Sequence, residues 1–286
     1  MKRYLPHLSI LLAGTLWGVI GLFNRNLAAG GFSPRTIVAV RNLGGCLVLG
    51  LFFLLFDRTI FRVKFKHLLW FFGTGIVSVV FFTLCYFTCQ QTCSLAAAAI
   101  LLYTAPTFVV ILSALLWKDK ITGRKLIALV VTFLGCTFVT GVWSGSLSIT
   151  PVGLLLGIGS GFFYGLYSIF ARYALEHYKP LTVTFYTFVF AGAGSLFVAS
   201  PSELAVGFSR PDMLLLTLGL VVVSTALPYI FYTKGLAELD SGKASILASI
   251  EPVIAALVGI LAFGEPFSIT VLLGLGCILF SVYILR

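Results

Sequence analysis

Long apolar runs alternate with short polar links along the whole chain. A helix needs about 20 mostly apolar residues to cross the hydrocarbon core of a bilayer, and ten runs approach this length. The predicted spans are 8–28, 34–56, 67–90, 95–117, 124–143, 151–171, 180–199, 212–236, 243–264 and 267–285. The links are short, the longest uncertain one being 200–211, so the pattern leaves no room for a soluble domain.

The composition agrees with this pattern. Hydrophobic residues make up 59% of the 286 residues and charged residues 10%, and the mean hydropathy is +1.09. Soluble domains contain about 45–50% apolar residues even when glycine is counted, and here 29 glycines come in addition to the 59%. Most of this apolar surface must face lipid, which excludes a soluble enzyme, a nucleic-acid-binding protein and a disordered chain.

The basic residues indicate how the chain is oriented. The net charge is +10, but the 19 lysines and arginines lie mainly in the links and not along one helix face. If the N-terminus is cytoplasmic, 15 of them fall on the cytoplasmic side, Arg25, Arg35 and Arg210 fall on the other, and Arg41 lies within the second span. Basic residues concentrate on the cytoplasmic side of membrane proteins. We therefore expect a multi-pass protein of the cytoplasmic (inner) membrane with both termini in the cytoplasm.

The two halves of the chain repeat each other. A shift of 146 residues matches Pro34 with Pro180, Ser78 with Ser224, Tyr86 with Tyr232, Ala98 with Ala244, Pro106 with Pro252 and Asp119 with Glu265. A shift of 147 matches Gly14 with Gly161, Gly18 with Gly165 and Arg25 with Arg172. Each half has five predicted spans, an odd number, so the second half enters the membrane in the opposite orientation. Residues 1–143 and 151–286 are thus predicted to be two inverted five-helix repeats, an arrangement typical of secondary transporters that bind substrate where the halves meet.

A family resemblance rests on several motifs in a fixed order. They are Trp17-Gly18, Arg41, the alanine-rich segment 96–99 before Pro106, Glu251-Pro252 and Gly264-Glu265. In this order they resemble the ten-helix, EamA-type members of the drug/metabolite transporter superfamily, over essentially the whole chain. The resemblance implies an all-α membrane bundle of two inverted five-helix repeats around a central cavity, which carries small metabolites or amino acids, often outward. One departure is Trp117-Lys118-Asp119-Lys120, where the family more often has Gly-Glu, although Asp119 keeps the acid.

Glu251 is the one acid near the middle of a predicted span. It lies eight residues beyond Lys243, or about 12 Å at 1.5 Å per residue. A carboxylate at that depth costs a few kcal/mol, so it should face a cavity or a partner. Glu251 is therefore the candidate for proton exchange or substrate binding, and Pro252 frees a backbone carbonyl beside it. The alternative is a neutral acid that ties the ninth span to a neighbour.

Arg41 is the one basic residue well inside a span, and Asn42 follows it. The arginine can form a forked contact with a carboxylate of the substrate or of another helix. It can instead extend its charged group toward the outer surface. Asn42 is a candidate for a polar contact near the outer side.

Amphipathic aromatic residues deep in the spans complete the candidate site. They offer apolar or cation–π contacts together with a hydrogen-bonding group, although packing alone is the other explanation for each of them. The candidates are Trp17, Tyr86, Tyr103, Tyr164 and Tyr232, with Tyr167 and Tyr229 of the same kind. Gly153, Gly157, Gly161 and Gly165 recur every four residues and, with Gly14 and Gly18, predict smooth helix faces that another backbone can approach.

These features favour a secondary transporter that moves amino acids or related small metabolites outward by alternating access, with protons as the coupling ion. One alternative is uptake of a cationic or zwitterionic nutrient such as a choline-like compound. A remote alternative is a membrane-embedded transferase, but the one acid–histidine pair, Glu176-His177, has no catalytic partner. The predicted partners are a small-molecule substrate, the bilayer and protons; the sequence predicts no cofactor, catalytic residue, metal site or nucleic-acid partner, and it leaves the oligomeric state open.

Overall fold

The protein is a helical membrane protein. The computed structural model describes residues 4–144, 148–197 and 200–285, and the regular structure within those ranges is helical, without strands. We label the long helices α1 (Leu5–Ala29), α2 (Pro34–Phe56), α3 (Phe65–Thr92), α4 (Leu95–Trp117), α5 (Gly123–Val139), α6 (Pro151–Leu175), α7 (Pro180–Ser195), α8 (Pro211–Leu236), α9 (Ser241–Phe263) and α10 (Ile269–Ile284). A connecting helix, Pro201–Phe208, lies between α7 and α8.

Within the described ranges, seven of these helices are long and apolar enough to cross a membrane. The other three, α5, α7 and α10, have 17, 16 and 16 residues. Each predicted span coincides with one helix, but the count of ten crossings stays a prediction. The predicted end of the seventh span, Ala199, lies outside the described residues, as do Lys2, Arg3 and Arg286 of the predicted cytoplasmic set.

Capping groups explain why several helices begin and end a few residues away from the predicted bounds. The Thr122 side chain accepts a hydrogen bond from the backbone N–H of Lys125 and starts α5 one residue early. The Asp240 side chain likewise accepts a hydrogen bond from the backbone N–H of Lys243, so α9 begins at Ser241, two residues early. Gly264 ends α9 because its φ of 67° lies in the left-handed region, which glycine adopts without steric cost.

The repeat of the sequence extends to irregular backbone features. α4 is interrupted between Leu102 and Ala105, and α9 between Ala248 and Glu251, 146 residues later. The π-helical segment Val222–Ala226 in α8 corresponds to the end of the π-helical segment Gly73–Val80 in α3 at the same shift. Such interruptions are costly in lipid unless they border protein or a cavity, which indicates that both breaks lie inside the bundle.

Contacts between helix ends define two opposite faces. At one, which we call the Arg25 face, Arg25 pairs with Glu265, the backbone N–H of Ser33 donates to Glu203, and that of Ser94 donates to the Ser148 carbonyl. At the other, the Arg172 face, the meeting pairs are Arg172 with Asp119, Lys125 with Asp240, and Lys64 with Tyr178. α1 begins at the Arg172 face beside the end of α8, and α6 begins at the Arg25 face. The halves are therefore inverted relative to each other.

The predicted glycine faces receive the two broken helices. A Cβ atom on Gly14 of α1 would lie 2.7 Å from the carbonyl oxygen of Ala248, and one on Gly18 would lie 2.7 Å from that of Glu251. Both carbonyls stand at the break in α9. A Cβ on Gly161 of α6 would lie 2.8 Å from the Leu101 carbonyl oxygen, at the break in α4. Each glycine-faced helix thus packs against the broken helix of the other half, and both contacts border the centre of the bundle.

Candidate substrate-binding site

A small cavity lies at the centre of the bundle, between the two helix breaks. Its volume of about 20 Å³ is room for about one water molecule, so its walls nearly touch. The lining residues come from α1, α4, α6, α8 and α9: Trp17, Leu102, Tyr103, Ala105, Pro106, Tyr164, Gly165, Tyr167, Ser168, Tyr229, Tyr232, Ser245, Ala248, Ser249 and Glu251. A solute the size of an amino acid enters only if these walls move apart.

Aromatic rings form most of the wall. The ring centroid of Trp17 lies 5.2 Å from that of Tyr229, 5.3 Å from that of Tyr232 and 6.4 Å from that of Tyr164. Trp17 comes directly before Gly18, so the close approach of α1 to α9 holds the indole at the centre. Clustered aromatic faces attract cations and apolar groups alike.

Two of the tyrosine hydroxyls are tied to neighbouring helices. The Tyr167 hydroxyl is 2.7 Å from the Thr233 hydroxyl, and the Tyr232 hydroxyl is 2.7 Å from that of Ser168. Both bonds join α6 to α8. They fix the orientation of these two rings, and their hydroxyls are already hydrogen-bonded in this conformation.

Glu251 brings the charge to the cavity. Among the described lining residues it alone is charged, and it stands in the first turn of the helical segment after the break in α9. A helix N-terminus favours a carboxylate, because the unpaired backbone N–H groups carry partial positive charge. The Tyr164 hydroxyl and the positive charge of Arg41 lie close enough to act on it electrostatically. The carboxyl group is therefore held near positive charge while one side borders the cavity.

Arg41 and Tyr86 form a second layer behind the lining. The charge of Arg41 acts on Glu251 and Tyr229, and its buried Nε has no hydrogen-bond partner among the described residues. The Tyr86 ring packs against Phe82 at 6.0 Å, and Phe82 in turn contacts Tyr164 at 5.1 Å. Both residues lie close enough to influence the cavity without lining it.

Asn42 does not line the cavity. It is fully buried, and its side-chain amide donates to the Ser195 hydroxyl at 2.9 Å. This bond ties α2 to α7 away from the cavity. Of the eight predicted site residues, the structure thus brings five together around the cavity, Trp17, Tyr103, Tyr164, Tyr232 and Glu251, and holds Arg41 and Tyr86 behind them.

Three serines line the cavity without having been predicted. Ser245 and Ser249 stand one helical turn apart and precede Glu251 on α9, while Ser168 lies on α6. The helical period gives no signal for Ser249 and Ser245, because they lie two and six residues before Glu251 and would face away from it in a regular helix; the break in α9 turns them toward the same cavity. Ser168 has no signal either, because serines also occur at many packed positions of this chain.

A larger opening lies beyond the cavity at each face. At the Arg25 face, an opening of about 330 Å³ is bordered by Arg25, Pro252 and Glu265, and also by Tyr103, which lines the central cavity as well. At the Arg172 face, an opening of about 450 Å³ is bordered by residues that include Trp117 and Arg172. The opening at the Arg25 face adjoins the central cavity through Tyr103, whereas the opening at the Arg172 face shares no described lining residue with it.

Several known proteins are similar over nearly the whole chain. A transporter of uncharacterised function from Archaeoglobus fulgidus is 31% identical, and the alignment covers 96% of this chain and 94% of the relative. The uncharacterised inner membrane transporter YicL of Salmonella typhimurium is 28% identical, with 97% and 94% covered. The threonine/homoserine exporter RhtA of Escherichia coli K12 is 27% identical, with 85% and 78% covered. Two of these relatives are thus named as transporters and the third as an exporter.

Fold and family comparisons agree with these relatives. A protein of known crystal structure superimposes with a TM-score of 0.80 over 98% of this chain and 95% of that one, at 16% identity, so it shares the fold. The sequence profile of the EamA-like transporter family matches twice, at residues 5–141 and 151–286. The predicted family is thereby confirmed, and this chain belongs to the EamA-like transporter family.

Proposed function

We propose that this protein exports amino acids or closely related metabolites across the cytoplasmic membrane, by alternating access and in exchange for protons. One observation carries the proposal: a single carboxyl group, Glu251, borders an aromatic cavity between two inverted halves. The name of the relative RhtA, a threonine/homoserine exporter, supports the substrate class and the direction.

The chemistry of the cavity suits a zwitterion. The ammonium group of an amino acid pairs with the Glu251 carboxylate and gains cation–π contact with Trp17 and its neighbouring tyrosines. The carboxylate of the same solute is attracted by the positive charge of Arg41, which lies behind the lining residues. Hydroxyl groups of Ser245 and Ser249 then supply hydrogen bonds to a polar side chain.

Proton coupling follows if Glu251 binds a proton and the substrate in turn. One carboxyl group cannot hold a proton and an ammonium group at the same time, so arrival of either favours release of the other. A proton entering from the outer side therefore drives the release of substrate there. The resulting exchange moves protons inward and substrate outward.

The basic residues indicate which face of the protein lies in the cytoplasm. The Arg172 face carries the links that hold most of the lysines and arginines, including Lys64, Lys125 and Arg172 itself. We therefore assign this face, together with both termini, to the cytoplasm. The Arg25 face is then the outer one.

Uptake of a quaternary ammonium nutrient is the second candidate. The ring centroid of Trp17 lies 5.2 Å from that of Tyr229 and 5.3 Å from that of Tyr232 on one side of the cavity, and Glu251 borders the same space. Rings and a carboxylate in this arrangement also bind a choline-like cation. The two candidates differ in whether the solute needs a carboxylate for Arg41.

Counterflow in proteoliposomes tests the function directly. Vesicles loaded with unlabelled threonine, homoserine, other amino acids or choline are given a trace of the same labelled compound, and we expect accumulation for one or more amino acids. The Glu203→Gln variant is the matched control, because this acid contacts Ser33 away from the cavity and should leave counterflow unchanged. Accumulation of choline without that of any amino acid supports the second candidate, and accumulation of neither contradicts both.

A further inference from the structure

An arginine, an aromatic ring and an acid form a compact cluster at the Arg172 face. Both terminal nitrogens of the Arg172 guanidinium donate to the two carboxylate oxygens of Asp119. The same guanidinium lies over the Trp117 ring, 4.4 Å from its centroid. We call these three residues the Arg172 cluster. A forked ion pair stacked on an indole combines two of the strongest contacts available to arginine.

The same three parts recur at the Arg25 face. Arg25 pairs with Glu265 and lies over the Phe263 ring, 4.5 Å from its centroid. Phe263 and Glu265 stand 146 residues after Trp117 and Asp119 in the sequence, and Arg172 stands 147 after Arg25. We call Arg25, Phe263 and Glu265 the Arg25 cluster. The repeat has therefore preserved a complete three-residue arrangement at both ends of the bundle.

One backbone turn presents the acid in both clusters. Lys118 and Gly264 adopt left-handed conformations with φ of 57° and 67°. The next backbone N–H then bonds back to the helix: that of Asp119 to the Ser113 carbonyl at 3.4 Å, and that of Glu265 to the Gly259 carbonyl at 3.1 Å. This bond spans seven residues in both turns and closes the helix end around the left-handed residue, so each acid folds back toward its arginine.

Each cluster joins helices from different halves. The Arg25 cluster joins α1 of the first half to the end of α9, and the Arg172 cluster joins α6 of the second half to the end of α4. The same two helix pairs also meet at the glycine contacts beside the central cavity. The openings at the two faces are bordered by Arg25 with Glu265 and by Trp117 with Arg172. Each cluster therefore holds one helix pair together at the edge of the opening on its own face.

We propose that the Arg25 and Arg172 clusters are the two gates of the transporter, and that one opens while the other stays closed. This inference rests on the proposed transport function and adds the residues that control access. Separation of Arg25 from Glu265 releases the end of α9 from α1 and opens the Arg25 face. Separation of Arg172 from Asp119 releases the end of α4 from α6 and opens the Arg172 face.

The two gates differ in strength. The side chains of Arg172 and Asp119 are 25% and 17% exposed, whereas those of Arg25 and Glu265 are 55% and 45% exposed. Charges with less contact with water attract each other more strongly and are screened less by salt. The Arg172 cluster also has two hydrogen bonds where the Arg25 cluster has one. The Arg172 gate is therefore the tighter, and the protein without substrate opens more readily at the Arg25 face.

Accessibility of a single reporter cysteine tests this inference. Ser249→Cys places a thiol in the central cavity, and a membrane-impermeant thiol reagent is applied to sealed vesicles from one face or from the other. Labelling of the peptide that contains residue 249 is measured by mass spectrometry, so the six native cysteines serve as internal references. The measured quantity is the ratio of the two labelling rates.

Asp119→Asn should shift this ratio toward the Arg172 face by about tenfold, within the usual range of coupling between states. Glu265→Gln should shift it the opposite way by about threefold, as expected for an exposed pair. Gly259→Ala is a second way to disturb the Arg25 gate, because the added Cβ would lie 2.3 Å from the Glu265 Oε2 atom. The exchanged pair Asp119→Arg with Arg172→Asp should restore much of the original ratio.

Asp212→Asn is the matched control. It removes an exposed pair: the side chains of Arg210 and Asp212 are 51% and 58% exposed, and the pair joins no second helix, so the ratio should not change. An unchanged ratio in both gate variants overturns the inference, and so does a shift of both toward the same face. Labelling needs no substrate, so it tests the gates independently of transport. Opposite shifts in a protein that shows no counterflow would support the gates and contradict the proposed function. Counterflow with unchanged labelling ratios would support the proposed function and contradict the gates.

Discussion

The breaks in α4 and α9 have the same backbone but different side chains. Where α9 carries Ser245, Ser249 and Glu251, the corresponding positions of α4 carry Ala99, Tyr103 and Ala105. The break in α9 thus carries polar side chains, while the break in α4 carries small residues and one tyrosine at the same positions. The comparison teaches that the two halves repeat the backbone of the breaks but not the side chains at the cavity, so the polar character of the cavity comes from residues that the repeat does not match. A carboxyl group in both halves would place two like charges in one small cavity, at a high electrostatic cost.

The largest expected effect comes from removing the unmatched charge. Glu251→Gln removes the charge, so neither break then carries a carboxyl group. A charge-assisted contact with the substrate is lost, and we therefore expect transport driven by a pH gradient to fall at least about tenfold. The remaining counterflow should no longer depend on pH. Flux measured in proteoliposomes over a pH series checks this.

Glu238→Gln is the control for that variant, because Glu238 borders the opening at the Arg172 face and does not line the cavity. A pH profile of the Glu251→Gln variant that matches the unmodified protein would remove this residue from the coupling mechanism.

The glycine contacts should respond equally in the two halves. Gly18→Ala and Gly161→Ala each force a methyl group against a backbone carbonyl, at 2.7 and 2.8 Å, so each should destabilise the protein by about 1–3 kcal/mol. The thermal unfolding temperature measured in detergent should fall in both variants. Gly21→Ala in α1 and Gly159→Ala in α6 are controls, since the added Cβ meets no atom within 4 Å and an atom at 3.7 Å, respectively. Equal losses in variants and controls would show that helix propensity and not close approach is responsible.

The left-handed turns should respond with opposite signs. Lys118→Gly removes the steric cost of a side chain at φ 57° and should raise stability by about 1 kcal/mol, while Gly264→Ala adds that cost and should lower it by about as much. Thermal unfolding of the two variants, compared with the same substitutions at the exposed positions Lys120 and Gly123, measures the difference. Equal signs for Lys118→Gly and Gly264→Ala would mean that the two turns are not equivalent.

The smallest effect concerns Asp57 and Glu203, which also correspond at the 146-residue shift. Hydrogen bonds from the backbone and side chain of Ser33 and the side chain of Thr36 lower the pKa of Glu203, so this acid joins the connecting helix to α2. Hydrogen bonds from Thr59 lower the pKa of Asp57, but this acid only caps its own turn. A lowered pKa stabilises the folded state above the ordinary pKa of the group, and the benefit is lost as pH falls through the lowered value.

Glu203→Gln should therefore reduce stability at neutral pH by no more than about 0.5 kcal/mol, and the difference from the unmodified protein should vanish in acid. Asp57→Asn should change thermal unfolding less than Glu203→Gln does. Unfolding temperatures of both variants at a series of pH values provide the measurement. A larger effect at Asp57 would contradict the assignment of the cross-helix contact to Glu203.

The sequence predicts the framework well because apolar length and helix period are local properties. The spans, the repeat and the central position of Trp17 and Glu251 all follow from spacing along the chain. The partner of Asn42 does not, because Ser195 lies 153 residues away and nothing in either segment marks the bond. The sequence does not predict the gates for a related reason. The repeat aligns Arg25 with Arg172 and Asp119 with Glu265, but in the folded chain Arg25 pairs with Glu265, 240 residues away. Pairing across halves depends on packing, which no single segment encodes.

The near absence of free volume at the centre has a consequence for the energy of the cell. A continuous file of water would let protons pass without any cargo and would discharge the membrane potential. With room for about one molecule of water between its aromatic walls, this conformation interrupts such a file at mid-membrane. In this conformation, the tight packing of Trp17 and its tyrosines thus leaves no continuous path for protons between the described residues at the centre of the bundle.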